Sequence, residues 1–173
     1  VIERVAPKTN DITAVEGVAQ RLEDPSPLVQ AAALAAFPRI CRDDAYAAEK
    51  LAQRLQCPDE RVRAAAAEAM RRILPSAAAL SALRNALNDE YLLVRINAAF
   101  ALAQHGEPYA EVHPIFTQAL ESQDPQVQVS ALNALKMLGS LAAPATALVE
   151  QRCQDKNAFI RGIAEAVLQE WRK

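Results

Sequence analysis

Apolar residues along this chain return at a near-constant interval. Val29, Val62, Val94, Val127 and Ile160 stand 33, 32, 33 and 33 residues apart. Four residues after each comes an alanine: Ala33, Ala66, Ala98, Ala131 and Ala164. Eight after each comes a larger apolar group: Phe37, Met70, Leu102, Leu135 and Leu168. Positions 0, 4, 7 and 8 define one face of a helix, small at its middle and bulky at one end, so a neighbouring helix can approach closely. Seven residues before the aliphatic column stand Leu22, Leu55, Leu87, Leu120 and Cys153, and four earlier again Val18, Leu51, Leu83, Phe116 and Val149. They mark a first helix in each unit, over about 11–23, 44–56, 76–88, 108–121 and 141–154. A short turn rich in Asp, Pro, Ser and Asn separates it from the second.

Five copies of one helical hairpin follow, spanning 11–40, 44–74, 76–105, 108–138 and 141–171. None buries both of its faces alone, so the hairpins must stack, and residues 11–173 read as a single repeat domain. Pro7 cuts off VIERVAP, so residues 1–10 read as the tail of an earlier helix in a longer chain. Composition supports helix over strand: 37 of the 173 residues are alanine, aromatics are 5%, and only four glycines are available for tight hairpin turns. A net charge of −2 argues against nucleic acid or an anionic membrane as partner. The absence of an uninterrupted apolar run of about 18 residues argues against membrane insertion. Cys41, Cys57 and Cys153 are odd in number and lack CxxC spacing, which fits a reduced, cytoplasmic setting.

A period of 33 fits several repeat types, and the columns choose between them. The ankyrin TPLH box is absent, as is the tetratricopeptide Trp, Leu-Gly, Tyr pattern. An aspartate in the turn with valine–arginine following, as in Asp89 with Val94-Arg95 and Asp155 with Ile160-Arg161, is similar to HEAT repeats. The short period looks more like the HEAT-like class of phycobilisome lyase subunits. The resemblance implies an all-α right-handed α-solenoid, an inter-repeat ladder of Asp89, Arg95, Asp155 and Arg161, and a concave face lined by the second helices. The turn–arginine pairing is imperfect elsewhere: Asp24 meets Gln30, Cys57 meets Arg63, and Ser122 meets Gln128.

Catalytic chemistry finds little support. Deoxyhypusine hydroxylase, a HEAT-like iron enzyme, carries His-Glu pairs, whereas His105 and His113 here are followed by Gly106 and Pro114. No GxSxG motif or glycine-rich phosphate loop occurs. Cys153 stands in a leucine column, as a small apolar residue would. No cofactor is expected. The expected function is a non-enzymatic scaffold for another protein, with a lyase-like or chaperone-like accessory role as the alternative and a nucleic-acid module as a lesser one. Candidate partner contacts are the apolar strip Ile96, Phe100, Val129 and Leu132, flanked by Arg63, Arg71, Arg95 and Lys136.

Overall fold

The computed structural model describes residues 12–172; residues 1–10, read above as the end of an earlier helix, lie outside them. Ten α-helices follow in five pairs: α1 (Ile12–Arg21) and α2 (Pro27–Ile40), α3 (Asp44–Arg54) and α4 (Glu60–Ala69), α5 (Ala77–Ala86) and α6 (Leu92–Gln104), α7 (Tyr109–Glu121) and α8 (Pro125–Leu138), α9 (Thr146–Arg152) and α10 (Ala158–Trp171). The even-numbered helices stack side by side in chain order, α2 on α4, α4 on α6, α6 on α8 and α8 on α10. The odd-numbered helices form the second layer, with α3 against α5 and α7 against α9. The fold is an all-α solenoid.

The columns read from the sequence form its spine. Ala66, Ala98, Ala131 and Ala164 are fully buried, as are Val62 and Val94. Their lack of bulk lets the two layers close on each other, and the hydrophobic gain comes from the larger residues beside them. Phe37, Met70 and Leu135 are fully buried, and Leu168 is partly so. Val29 is the exception, 38% exposed, because no earlier helical pair among the described residues covers its side of α2.

Local sequence sets the helix starts. Asp59, Asp124 and Asn157 occupy N-cap positions and accept the backbone N–H two residues on. Asp43 and Ser76 accept the N–H three residues on. Each bond satisfies a donor that the first helical turn cannot.

The last pair departs from the pattern. A first helix expected over 141–154 is shortened to Thr146–Arg152 and preceded by a 3-10 segment, Gly139–Ala145. Gly139 ends α8 at φ +59, ψ −131, a region closed to side-chain-bearing residues. Pro144 then removes an amide donor from the segment. The helical run Pro125–Arg152 is long and apolar enough to cross a bilayer by length and composition alone. The turn at Gly139 breaks it, and its buried residues pack on the other helices.

Candidate functional site

The turn–arginine column ties the turn of each pair to its second helix, and its geometry differs from the ladder the resemblance implied. In all five pairs the residue after the column valine or isoleucine donates to the backbone carbonyl six residues earlier. Gln30 Nε2 reaches the carbonyl of Asp24 at 2.6 Å, Arg63 Nη1 that of Cys57 at 2.9 Å, and Arg95 Nη1 that of Asp89 at 2.6 Å. Gln128 Nε2 reaches Ser122 at 2.7 Å and Arg161 Nη1 reaches Asp155 at 2.7 Å. The turn side chain has a different job. Asp24, Asp89 and Asp155 each accept the N–H two residues on, which fixes the turn. Asp89 with Arg95, and Asp155 with Arg161, therefore meet through main chain rather than as ion pairs.

A buried carboxylate pairing across repeats is Arg63 with Asp89. Nε donates to Oδ2 at 2.7 Å and Nη2 to Oδ1 at 3.0 Å, with both side chains almost wholly buried. Burial alone would raise the Asp89 carboxyl, but hydrogen bonds from Arg63 and the Tyr91 amide hold it below its ordinary value. The Arg63 guanidinium is pushed up by the same pair. Arg63 is thus a strut between the second and third pairs and offers no surface to a partner. A second strut, not anticipated from the sequence, runs from first helices. Arg54 Nη1 donates to the carbonyl of Leu22 at 3.3 Å, and Arg152 Nη1 to that of Leu120 at 3.2 Å. Its signal was present in the arginine preceding the Leu22, Leu55 and Cys153 column.

The expected apolar strip is not an exposed one. Ile96 and Leu132 are fully buried, because these columns point along the even-helix layer into the neighbouring repeats, and Phe100 is 2% exposed. Val129 is half-buried and Lys136 exposed. The open strip of the even helices runs instead through the positions one before and three, six and ten after the column valine. In the third and fourth pairs these are Leu93, Asn97, Phe100 and Gln104, then Gln126, Ser130, Asn133 and Met137. Phe100 lies on this strip yet is hidden, because the Arg71 guanidinium lies over its ring at 3.9 Å from the centroid. Arg71 Nε also donates to Gln104 Oε1 at 3.0 Å, and Nη2 approaches Met137 Sδ at 3.8 Å.

Toward the N-terminal ends of the same helices an open groove of about 400 Å³ lies between α4, α6 and the start of α8. Ala64 and Ala65 make one wall, Leu93 and Asn97 the other, with Tyr91 and Val127 at the ends. Asn97 is held in place by Nδ2 donating to the Ala64 carbonyl at 3.0 Å. Alanine on one helix facing leucine on the next leaves the space. That juxtaposition is visible in the aligned repeats only once the exposed columns are known.

The histidines and cysteines have structural settings. His105 Nε2 lies 2.9 Å from the Met70 carbonyl, and His113 stacks edge-on with Tyr109 at 5.5 Å. Cys41 is buried, and burial raises the Cys153 thiol. Among the described residues no group of three or more His, Cys, Asp or Glu side chains could hold a metal ion.

A family description for HEAT repeats matches residues 15–95 and 80–169, nearly the whole chain. The chain belongs to the HEAT-repeat family. Among curated proteins no sequence matches it. Two solved structures share the HEAT-like architecture over 92% of this chain. One is an engineered protein from the Northeast Structural Genomics Consortium, with TM-score 0.56, 22% identity and 80% of that chain covered. The other is a designed armadillo repeat protein in complex with the peptide (KR)4, with TM-score 0.56, 20% identity and 82% of that chain covered. At these identities the likeness is one of fold.

Proposed function

We propose that this HEAT-repeat chain is a non-enzymatic scaffold that binds a segment of another protein along its even-helix face, the concave face in such solenoids. The groove between α4 and α6 carries the reading. It is an open channel with apolar walls and a fixed amide, Asn97, on a surface built from a rigidly stapled stack. A structural relative, the designed armadillo protein, holds a peptide, (KR)4. His105 and Cys153 are tied to backbone carbonyls and His113 to a ring contact, which supports a binding role over a catalytic one.

Selection of random dodecapeptides displayed on phage tests this, with wild type beside Ala65→Arg, which fills the groove from a half-buried position. Peptides enriched on wild type and lost on the variant, with both proteins showing the same helical melt, support the reading. Failure to enrich, or equal retention on the filled groove, rejects it.

A further inference from the structure

Arg71 is a half-buried cation that makes no ion-pair contact with a carboxylate among the described residues. Its guanidinium is sandwiched by neutral groups: the Phe100 ring, the Gln104 amide and the Met137 thioether. Glu68, the carboxylate one turn earlier, sits 3.8 Å from Arg72 instead. No carboxylate stands within ion-pair distance of Arg71 among the described residues. The contrast with Arg63 is plain, since Arg63, equally constrained, has Asp89. Burial lowers the Arg71 guanidinium from its ordinary value, and the charge of Glu68 offsets only part of that.

A cation near a helix C-terminus is ordinarily accounted for by the helix dipole. Arg71 does something further: it leaves its own helix end and reaches across α6 to Met137 of α8. Stacking on Phe100 orients the planar fork, and a pre-oriented guanidinium is the group best matched to a carboxylate. Lys136, in the corresponding position two repeats on, is exposed, and so is Met137, at 59%. Glu60, Arg61, Glu68 and Asp124 line the groove, with Arg61 paired to Asp59, while Arg71 and Arg72 follow the C-terminal end of α4 and Lys136 lies at that of α8.

From this geometry we infer that Arg71, held on Phe100 and assisted by Arg72 and Lys136, is a receptor for the carboxylate of an acidic stretch in the bound protein. The inference rests on the scaffold reading above and gives the bound segment a polarity: apolar residues in the α4–α6 groove, acidic residues toward the helix C-termini.

Fluorescence anisotropy on the full chain tests it, with labelled acetyl-Ala-Leu-Ala-Glu-Glu-Glu-amide as probe and its Lys-Lys-Lys counterpart as control. The acidic peptide is expected to bind saturably and the basic one at least tenfold more weakly. Arg71→Gln should weaken the acidic peptide by tenfold or more, and Arg71→Lys, which keeps the charge but loses the planar fork, by an intermediate factor. Phe100→Leu, which keeps an apolar side chain under the guanidinium but removes the ring, should fall between wild type and Arg71→Gln. An unchanged affinity in Arg71→Gln, or equal binding of the basic peptide, overturns the inference. Displacement by inorganic phosphate at equal concentration also overturns it, by showing a general anion site. Groove-dependent phage peptides without acidic enrichment would sink this inference while leaving the scaffold reading standing.

Discussion

Arg63 of the second helical pair grips Asp89 of the third through two parallel hydrogen bonds, at 2.7 and 3.0 Å, in a joint almost closed to solvent. Removing one partner strands the other's charge in a dry site, and that loss outweighs what the pair itself contributes. Arg63→Met is expected to destabilise the chain by about 3 kcal/mol in urea denaturation.

The same joint makes stability pH-dependent in a definite direction. The Asp89 carboxyl is held below 3.8 in the fold and returns to its ordinary value on unfolding, so the unfolded chain takes up the proton first. Its contribution is complete above about pH 4 and fades as the pH falls through the depressed value. Asp89→Asn should flatten that part of the stability profile, measured by denaturant midpoints between about pH 2 and 5. An acid limb of unchanged steepness would show that other carboxylates carry it.

Gln128 separates the donor from the charge. Its Nε2 serves the carbonyls of both Leu120 and Ser122. Gln128→Leu leaves the Ser122 carbonyl without this donor, while the Leu120 carbonyl keeps Arg152, and should cost about 1–3 kcal/mol. Gln128→Arg, which copies positions 63, 95 and 161, should fall within about 0.5 kcal/mol of wild type. If both variants melt alike, the bond to the turn carbonyl does not hold the hairpin together.

Phe100 is a structural residue rather than an exposed anchor. At 2% exposure, Phe100→Ala should lower stability by about 3–5 kcal/mol through the cavity it leaves. A loss below about 1 kcal/mol would place the ring outside the core.

Gly139 supplies a backbone conformation, not space. A Cβ there would meet nothing within 4 Å, so the cost of Gly139→Ala is the strain of φ +59, ψ −131 alone, about 1–3 kcal/mol. A thermal melt unchanged by the substitution would mean the turn relaxes freely.

The repeat columns made the helix pairs and their core readable because a period of 33 superimposes five independent copies of the same small-then-large face. Ala66, Ala98 and Ala131 are buried where that face required. The site was harder to read for a geometric reason. Whether Ile96 or Asn97 faces outward depends on how far each even helix is rotated against its neighbours, about 100° of arc between adjacent residues. The alternation of apolar and polar residues could not resolve that angle, because alanine occupies both kinds of position. Arg63 was misread for a related reason: its partner, Asp89, lies 26 residues on in the next turn, outside the repeat in which it was sought.

The acceptors of the five Gln or Arg donors are main-chain oxygens, which every amino acid possesses. The turns are therefore free to drift: aspartate, cysteine and serine already serve in the same place. A duplicated hairpin would bring both the donor and the acceptor with it, so each unit ties its own turn to its second helix without help from a neighbour. Within each hairpin the constraint falls on one donor, and the turn residues can change while the joints between hairpins, Arg54 on the Leu22 carbonyl, Arg63 on Asp89 and Arg152 on the Leu120 carbonyl, are left as they are.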